Sequence, residues 1–333
     1  MIRLYGIAFR AMGSQFNVWL ETDADGEAVL QQVPGWVETI EAHLSRFRPE
    51  SELSRLNARS AKWVTVSDTL LQATLAARRA AWLSGGLCNP LILPALVAAG
   101  YERSFAEMQR DGLDVGSGSG LSSFSETQRD GLNGSGGRPG PTPVPDWRGI
   151  TVKPKHHLIR LPAGSQLDLG GTGKGWTAQQ IARRLAEYGP CVVDAGGDVV
   201  AHGKPQDQIG WLIDVSAPGQ PDDAPPVASV LVSDAAVATS GIDYRRWMHN
   251  GQPQHHLIDP RTGQPTVSDV LAATVIHTDA TLAEAYAKSL VILGADDGLN
   301  WLMQQPQRAA LVVRTDGSVL ATADFLSHQA APV

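Results

Sequence analysis

Cysteine is scarce in this chain: 333 residues carry only Cys88 and Cys191, far apart and with no CxxC pair. That excludes a cysteine-rich zinc site or a disulfide framework and leaves the redox compartment open. Positive charge is also short. Lys and Arg number 27 against 34 Asp and Glu, giving net charge −7 and an isoelectric point near 5.7. A general nucleic-acid binder needs a basic face, so no nucleic-acid partner is expected. Long apolar runs are missing as well, and no stretch approaches the roughly 20 residues of a membrane span. The start, MIRLYGIAFRAMGS, has no basic leader followed by an apolar run and no early lipobox-like cysteine. The expectation is no membrane span and a cytoplasmic placement of the chain as given.

What is present fits a folded globular protein. Hydrophobic residues make up 43% and charged residues 18%, and the length suffices for a sizeable core. Residues 10–20 alternate like one strand, with Phe16, Val18 and Leu20 on a common face. Residues 28–47 show helical spacing with a break or start at Pro34-Gly35. Residues 68–83 read as a helix capped by Ser67 and ended by Gly85-Gly86. From about 105 to 145 Gly, Ser and Pro dominate, and QRDGL occurs twice, beginning at Gln109 and Gln128. Such a stretch reads as an inserted surface spacer in a single domain over 1–333, with a mobile lid as the other possibility.

Strand-like runs return at 149–152 and 157–161, and a helix is predicted at 174–188. Runs at 191–194 and 199–201 flank Gly196-Gly197. Strands follow at 211–215, 227–232 and 272–277, then a helix at 281–293, then runs at 311–314 and 319–322 around Asp316-Gly317, a hairpin pair. Strands and helices mix without strict βαβ alternation. The fold class expected is α+β, with antiparallel sheets flanked by helices.

Three constellations could carry chemistry. LDLGGTGKGW at 167–176 joins a strand end to a helix through Gly170, Gly171, Gly173 and Gly175. Glycines allow close ligand approach, and helix N-terminal amides with Lys174 suit a phosphate. It matches neither the Walker nor the GxGxxG spacing, and a plain tight turn reads equally well. HHLIDPRTGQP at 255–265 places His256 three residues before Asp259, where a histidine could serve as a base, or decorate a hairpin. In the predicted helix at 281–293, Glu284 and Lys288 share one face, either as a simple ion pair or beside a polar ligand.

Their order along the chain is more specific than any one of them. AMGS near the start, then LSRFRPESELSRLN at 44–57, GGLCNPLILPAL at 85–96, LDLGGTGKG at 167–175, DAGGDVVAHG at 194–203, ATSGIDYRR at 238–246, HHLIDPRTG at 255–263 and AEAYAKSLVILG at 283–294 together resemble the FAD:protein FMN transferase (ApbE-like) family. The resemblance covers nearly the whole chain apart from the Gly/Ser-rich segment. It implies a T-fold-related architecture, a cleft that binds FAD, and transfer of FMN from FAD to a Ser or Thr hydroxyl of an acceptor flavoprotein, with release of AMP and help from magnesium. By motif, Met12, Phe47, Leu87, Cys88, Asn89, Asp168, Lys174 and Ile258 correspond to cofactor contacts. His256 corresponds to the base, with Asp259 beside it, and Gly171, Glu284 and Lys288 to the metal positions.

Several of these positions depart from the family pattern. Glu284 and Lys288 stand where the family helix offers Asp and Thr to the metal, Asn89 replaces an aspartate, and Gln179 replaces another. A protonated lysine cannot ligate magnesium. These changes keep two alternatives open beside transfer: an FAD-binding protein with weak or lost transfer, and an FAD pyrophosphatase.

Overall fold

The computed structural model describes residues 1–110, 142–221 and 224–330. Its centre is an eight-stranded antiparallel sheet, here numbered in chain order: β1 (Arg3–Ala11), β2 (Ser14–Thr22), β3 (Cys191–Ala195), β4 (Asp198–His202), β5 (Ala235–Gly241), β6 (Val270–His277), β7 (Ala309–Arg314) and β8 (Val319–Ala321). Each strand of the sheet pairs with the sheet's next strand in the chain, so the sheet is a meander; among the described residues all other elements are inserted between its strands except the helix Ala323–Leu326, which follows the last one.

The single strand expected at 10–20 is in fact a hairpin. Ala11 pairs with Ser14 across a two-residue turn, and Met12 and Gly13 both have positive φ, 50° and 67°. Two positive φ angles are what a twisted two-residue hairpin demands. The alternation continued through the turn and hid it. The face reading was right: Phe16, Val18 and Leu20 are fully buried. The Gly196-Gly197 turn likewise has positive φ at both residues and joins β3 to β4.

One face of the sheet is covered by two long helices, Gly173–Leu185 and Ala280–Leu293, with Val33–Leu44 at their flank. Ala178, Ile181, Ala182 and Leu185 of the first pack with Leu282, Ala283, Tyr286 and Leu290 of the second. The opposite face is covered by a hairpin of Trp211–Val215 and Ala228–Val232, with Phe325 beside it. A further core lies between β2 and β3 in sequence. There Val33–Leu44, Glu52–Asn57 and Asp68–Leu83 pack on a small sheet of Val64–Thr65, Leu158–Arg160 and Thr151–Lys153. The Ser67 cap is present, its side chain accepting from the Leu70 amide. Of the break or start expected at Pro34-Gly35, the start is found: the chain breaks at Gln31-Gln32 and Pro34 lies in the first turn of the helix that follows, where its missing N–H is harmless.

Most of the segment expected as an insertion lies outside the described residues. Its near end does not stand apart from the core: Phe105–Arg110 is a helix, and Met108 is buried with Tyr101, Trp247 and Ile258.

Candidate functional site

The Gly-rich turn before the Gly173–Leu185 helix is the hub. Asp168 is 6% exposed and both its oxygens are engaged. Oδ1 accepts from the Gly170 amide at 2.6 Å, and Oδ2 pairs with Arg46 Nε at 2.7 Å. The Arg46 guanidinium also donates to the Tyr101 carbonyl and lies 4.0 Å from the Phe47 ring centre and 4.8 Å from that of Tyr101. Asp168 and Phe47 thus meet through Arg46, to which the sequence reading assigned no role. The half-exposed Phe47 ring stands edge-on to Tyr101.

The amides at the start of the helix are largely taken within the protein. Gly173 donates to the Leu169 carbonyl, and Gly175 donates to Glu284 Oε2 at 3.2 Å. A carboxylate at a helix N-terminus is favoured by the helix dipole. Gly175 is required there for space, since a Cβ would stand 2.9 Å from the Ala280 carbonyl oxygen and 3.1 Å from Glu284 Oε2. Part of the anion site expected of this turn is therefore filled by Glu284, 109 residues further along the chain.

Lys174 is also engaged. Its ammonium pairs with Asp198, which is 2% exposed, and approaches the Ala195 carbonyl at 3.4 Å. Asp198 lies in the DAGGDVVAHG segment, where the motif gives it no role. Its signal is a lone acid heading the apolar run at residues 199–201.

Lys288 forms the second half of the cluster. Its Nζ donates to Glu284 Oε1 at 3.0 Å and to Ser240 Oγ at 3.4 Å. Burial pulls its pKa down, but the carboxylates of Glu284 and Asp198 outweigh this and hold it above the usual lysine range. The lysine stem runs beside Gly171, where an added Cβ would lie 3.7 Å from Cε. Cys88 closes the same corner with Sγ 3.9 Å from the Gly171 carbonyl oxygen, and burial pushes its thiol up to about 12. Met12 caps the other side of the turn, its Cε within 3.9 Å of where a Cβ on Gly173 would be.

His256 belongs to this region through its charges. Its pKa is held well below the usual histidine value by burial, then by the positive charges of Arg245 and Lys288. Nδ1 is buried and makes no hydrogen bond among the described residues. A neutral imidazole with an unpartnered nitrogen can accept a proton. The neighbouring His255 is structural: Nε2 donates to the Thr266 carbonyl at 2.9 Å, Nδ1 accepts the Leu257 amide, and burial lowers its pKa to about 4.

The remaining candidates are placed differently. The Asp259 carboxylate is gripped by Arg261, with Nε 2.9 Å from Oδ1 and Nη2 2.7 Å from Oδ2, and no hydrogen bond joins it to His256. Ile258 packs in the Trp247 cluster. Asn89 bridges the Pro145 carbonyl and the Leu91 amide, and Leu87 is half-buried nearby. Gln179 links the two long helices at Thr278 and Ala280.

A profile of the ApbE family matches residues 12–312. The chain belongs to the ApbE family. Among relatives, it is 28% identical to an FAD:protein FMN transferase of Treponema pallidum, over 92% of this chain and 82% of that protein. It is 23% identical to one of Haemophilus influenzae, over 94% of this chain and 88% of that protein. Its fold matches the ApbE protein of Thermotoga maritima with a TM-score of 0.79 at 22% identity, covering 99% and 100% of the two chains. For the flavin transferase ApbE of Vibrio cholerae the TM-score is 0.73 at 21% identity, with 98% and 100% covered. The α+β fold with antiparallel sheets and helices is thus that of ApbE crystal structures.

The magnesium implied by ApbE membership finds a poor donor set here. An ammonium has no lone pair, and Glu284 already accepts from Lys288 and Gly175. Among the described residues no group of three or more His, Cys, Asp or Glu is arranged to hold a metal ion. No helix of the described residues is long and apolar enough to cross a membrane.

Proposed function

We propose that this ApbE-family chain binds FAD in the corner formed by Met12, Phe47, Cys88, Gly171 and Lys288, and transfers FMN from it to a Ser or Thr hydroxyl of an acceptor flavoprotein. The observation that carries this is the Lys288 ammonium held by Glu284 and Ser240 beside the Gly171 turn, in a chain whose His256 keeps a buried Nδ1 with no hydrogen-bond partner among the described residues. Phosphoryl transfer needs those two things, a base for the hydroxyl and a cation for the phosphate.

In the reaction, the acceptor oxygen attacks the phosphorus on the flavin side of the pyrophosphate. A new phosphoester P–O bond forms, and the P–O bond to AMP breaks. The hydroxyl proton passes to His256, and AMP leaves as the second product. Burial and the nearby positive charge hold the His256 pKa down, so it starts unprotonated, and the same surroundings favour handing the proton on once it is taken. Lys288 offsets charge on the pyrophosphate, and the Gly171 turn lets the backbone come close. The names of the relatives support the substrate assignment.

A second reading is FAD binding with little transfer. It is favoured by the Glu284–Lys288 pair, because a flexible point cation orients phosphate less strictly than a ligated metal. Incubation with FAD and a Ser/Thr acceptor peptide decides between them. Transfer gives peptide carrying FMN, read by mass, with one AMP per modified peptide. Bound FAD with no product supports the second reading, and AMP with unmodified peptide indicates hydrolysis.

A further inference from the structure

Two acids and two bases form one buried cluster where the helices Gly173–Leu185 and Ala280–Leu293 meet β4 and β5: Lys174 with Asp198, and Lys288 with Glu284. The cluster is neutral as it stands. Asp198 and Glu284 are 2% and 1% exposed, and Lys288 has a 13% exposed side chain. Lys288 has capacity to spare. Its ammonium has three donors, and its protein partners are two, Glu284 Oε1 and Ser240 Oγ. The stem lies against Gly171, beside Cys88, so the charge is held next to the Gly-rich turn. A divalent ion brought to the same carboxylate would meet this cation within a few ångströms, and repulsion at that range is substantial even at a moderate dielectric.

We infer that Lys288 is the resident cation of this site in place of a divalent metal, so that the chain engages the pyrophosphate of FAD without magnesium. The inference rests on the FAD reading above. It makes Glu284 a positioning residue: one oxygen steers Lys288, and the other fastens the carboxylate to the Gly175 amide. Ser240, from β5, gives the ammonium a second fixed partner. A metal that dissociates is replaced by a charge that cannot leave.

The test is FAD affinity by flavin fluorescence quenching, in EDTA and in excess magnesium, together with manganese binding by electron paramagnetic resonance with FAD present. The natural chain should bind FAD equally, within about twofold, in both buffers, and should take up no stoichiometric manganese. Replacing Glu284→Gln together with Lys288→Met removes both charges and avoids leaving one of them buried alone. This variant should melt near the natural temperature yet bind FAD about tenfold or more weakly in both buffers, the loss of one charge-assisted phosphate contact. Lys288→Thr alone, which leaves a hydroxyl beside the carboxylate, should gain manganese binding. The inference is overturned if magnesium tightens FAD binding to the natural chain tenfold, if the natural chain binds manganese one to one, or if the double variant keeps its FAD affinity. Absence of FAD binding in every buffer and variant is a different result. It overturns the FAD reading itself, and the inference with it.

Discussion

The Lys174–Asp198 pair gives the sharpest test of how the site is held. Asp198 is 2% exposed and Lys174 has a 17% exposed side chain, so the pair is shielded from water on the acid side. Removing one member of a buried pair costs roughly 3–5 kcal/mol because the other charge is left without compensation. Partial access of water to Lys174 puts Asp198→Asn at the lower end, about 3 kcal/mol. An unfolding entropy of about 2.1 cal/mol/K per residue gives roughly 0.7 kcal/mol/K for a chain of this length, hence a fall in Tm of about 4 °C. Lys174→Met should cost a similar amount, since it leaves Asp198 alone with Oδ1 already unpartnered among the described residues. The double variant removes both charges and should lose only about 1–2 kcal/mol, so the cycle should show a coupling of several kcal/mol. Differential scanning calorimetry on the four proteins reads this. The same proteins decide whether Lys174 serves FAD. A phosphate contact through its third donor would make Lys174→Met weaken FAD binding, and Asp198→Asn, by releasing the ammonium, would tighten it. With Nζ committed to Asp198 and the Ala195 carbonyl, both variants should leave FAD affinity within about threefold once folded. Additive losses in Tm would refute the ion-pair account.

Acid sensitivity is expected from His255, which is fully buried with a pKa lowered to about 4 from 6.5. The unfolded chain binds the proton first, so stability is intact above about pH 6.5 and declines as pH falls toward 4, by about 3 kcal/mol in all; His255→Gln should flatten that slope in denaturant titrations, and an unchanged slope would refute the assignment. Met12 has φ 50° in a turn that Asn-Gly would suit better, so Met12→Asn should stabilise by about 0.5–1 kcal/mol while weakening FAD binding; loss of stability would mean the side chain packs more tightly than its contact with Gly173 indicates. Met108 is 2% exposed against Trp247 and Ile258, and Met108→Ala should cost about 2–5 kcal/mol; a change below about 0.5 kcal/mol by urea unfolding would place it outside the cooperative core.

Legibility in the sequence followed the range of the interaction. Helix 68–83 was readable with its Ser67 cap because both the period and the cap are local. The hairpins at Gly196-Gly197 and Asp316-Gly317 were readable because their turn residues announce themselves. The first hairpin was missed because Met at a left-handed position carries no such signal. The meander order of the sheet was not readable at all. β2 and β3 are adjacent in space but separated by a whole second core, and nothing in either strand names its neighbour.

The site obeyed the same rule. Family motifs pointed to Asp168, Lys174, Glu284 and Lys288, yet two of the four have their main partner outside the segment that revealed them, Arg46 for Asp168 and Asp198 for Lys174, and Glu284 reaches out of its own segment to the Gly175 amide. Read locally, the turn at 167–176 offers vacant helix amides and a free lysine, a ready phosphate site. Folded, a carboxylate from the Ala280–Leu293 helix takes one of those amides, and an aspartate from β4 takes the lysine. The exception is the i,i+4 pair of Glu284 and Lys288, legible as a pair from spacing alone. What spacing could not tell is that the pair is buried against the Gly171 turn. On an exposed helix face such a pair contributes a few tenths of a kcal/mol and has no further consequence. Held beside Gly171 and Cys88, the same two residues set the charges of this corner. The chemistry open to this chain follows from that charge more than from the glycines that first drew attention to the turn.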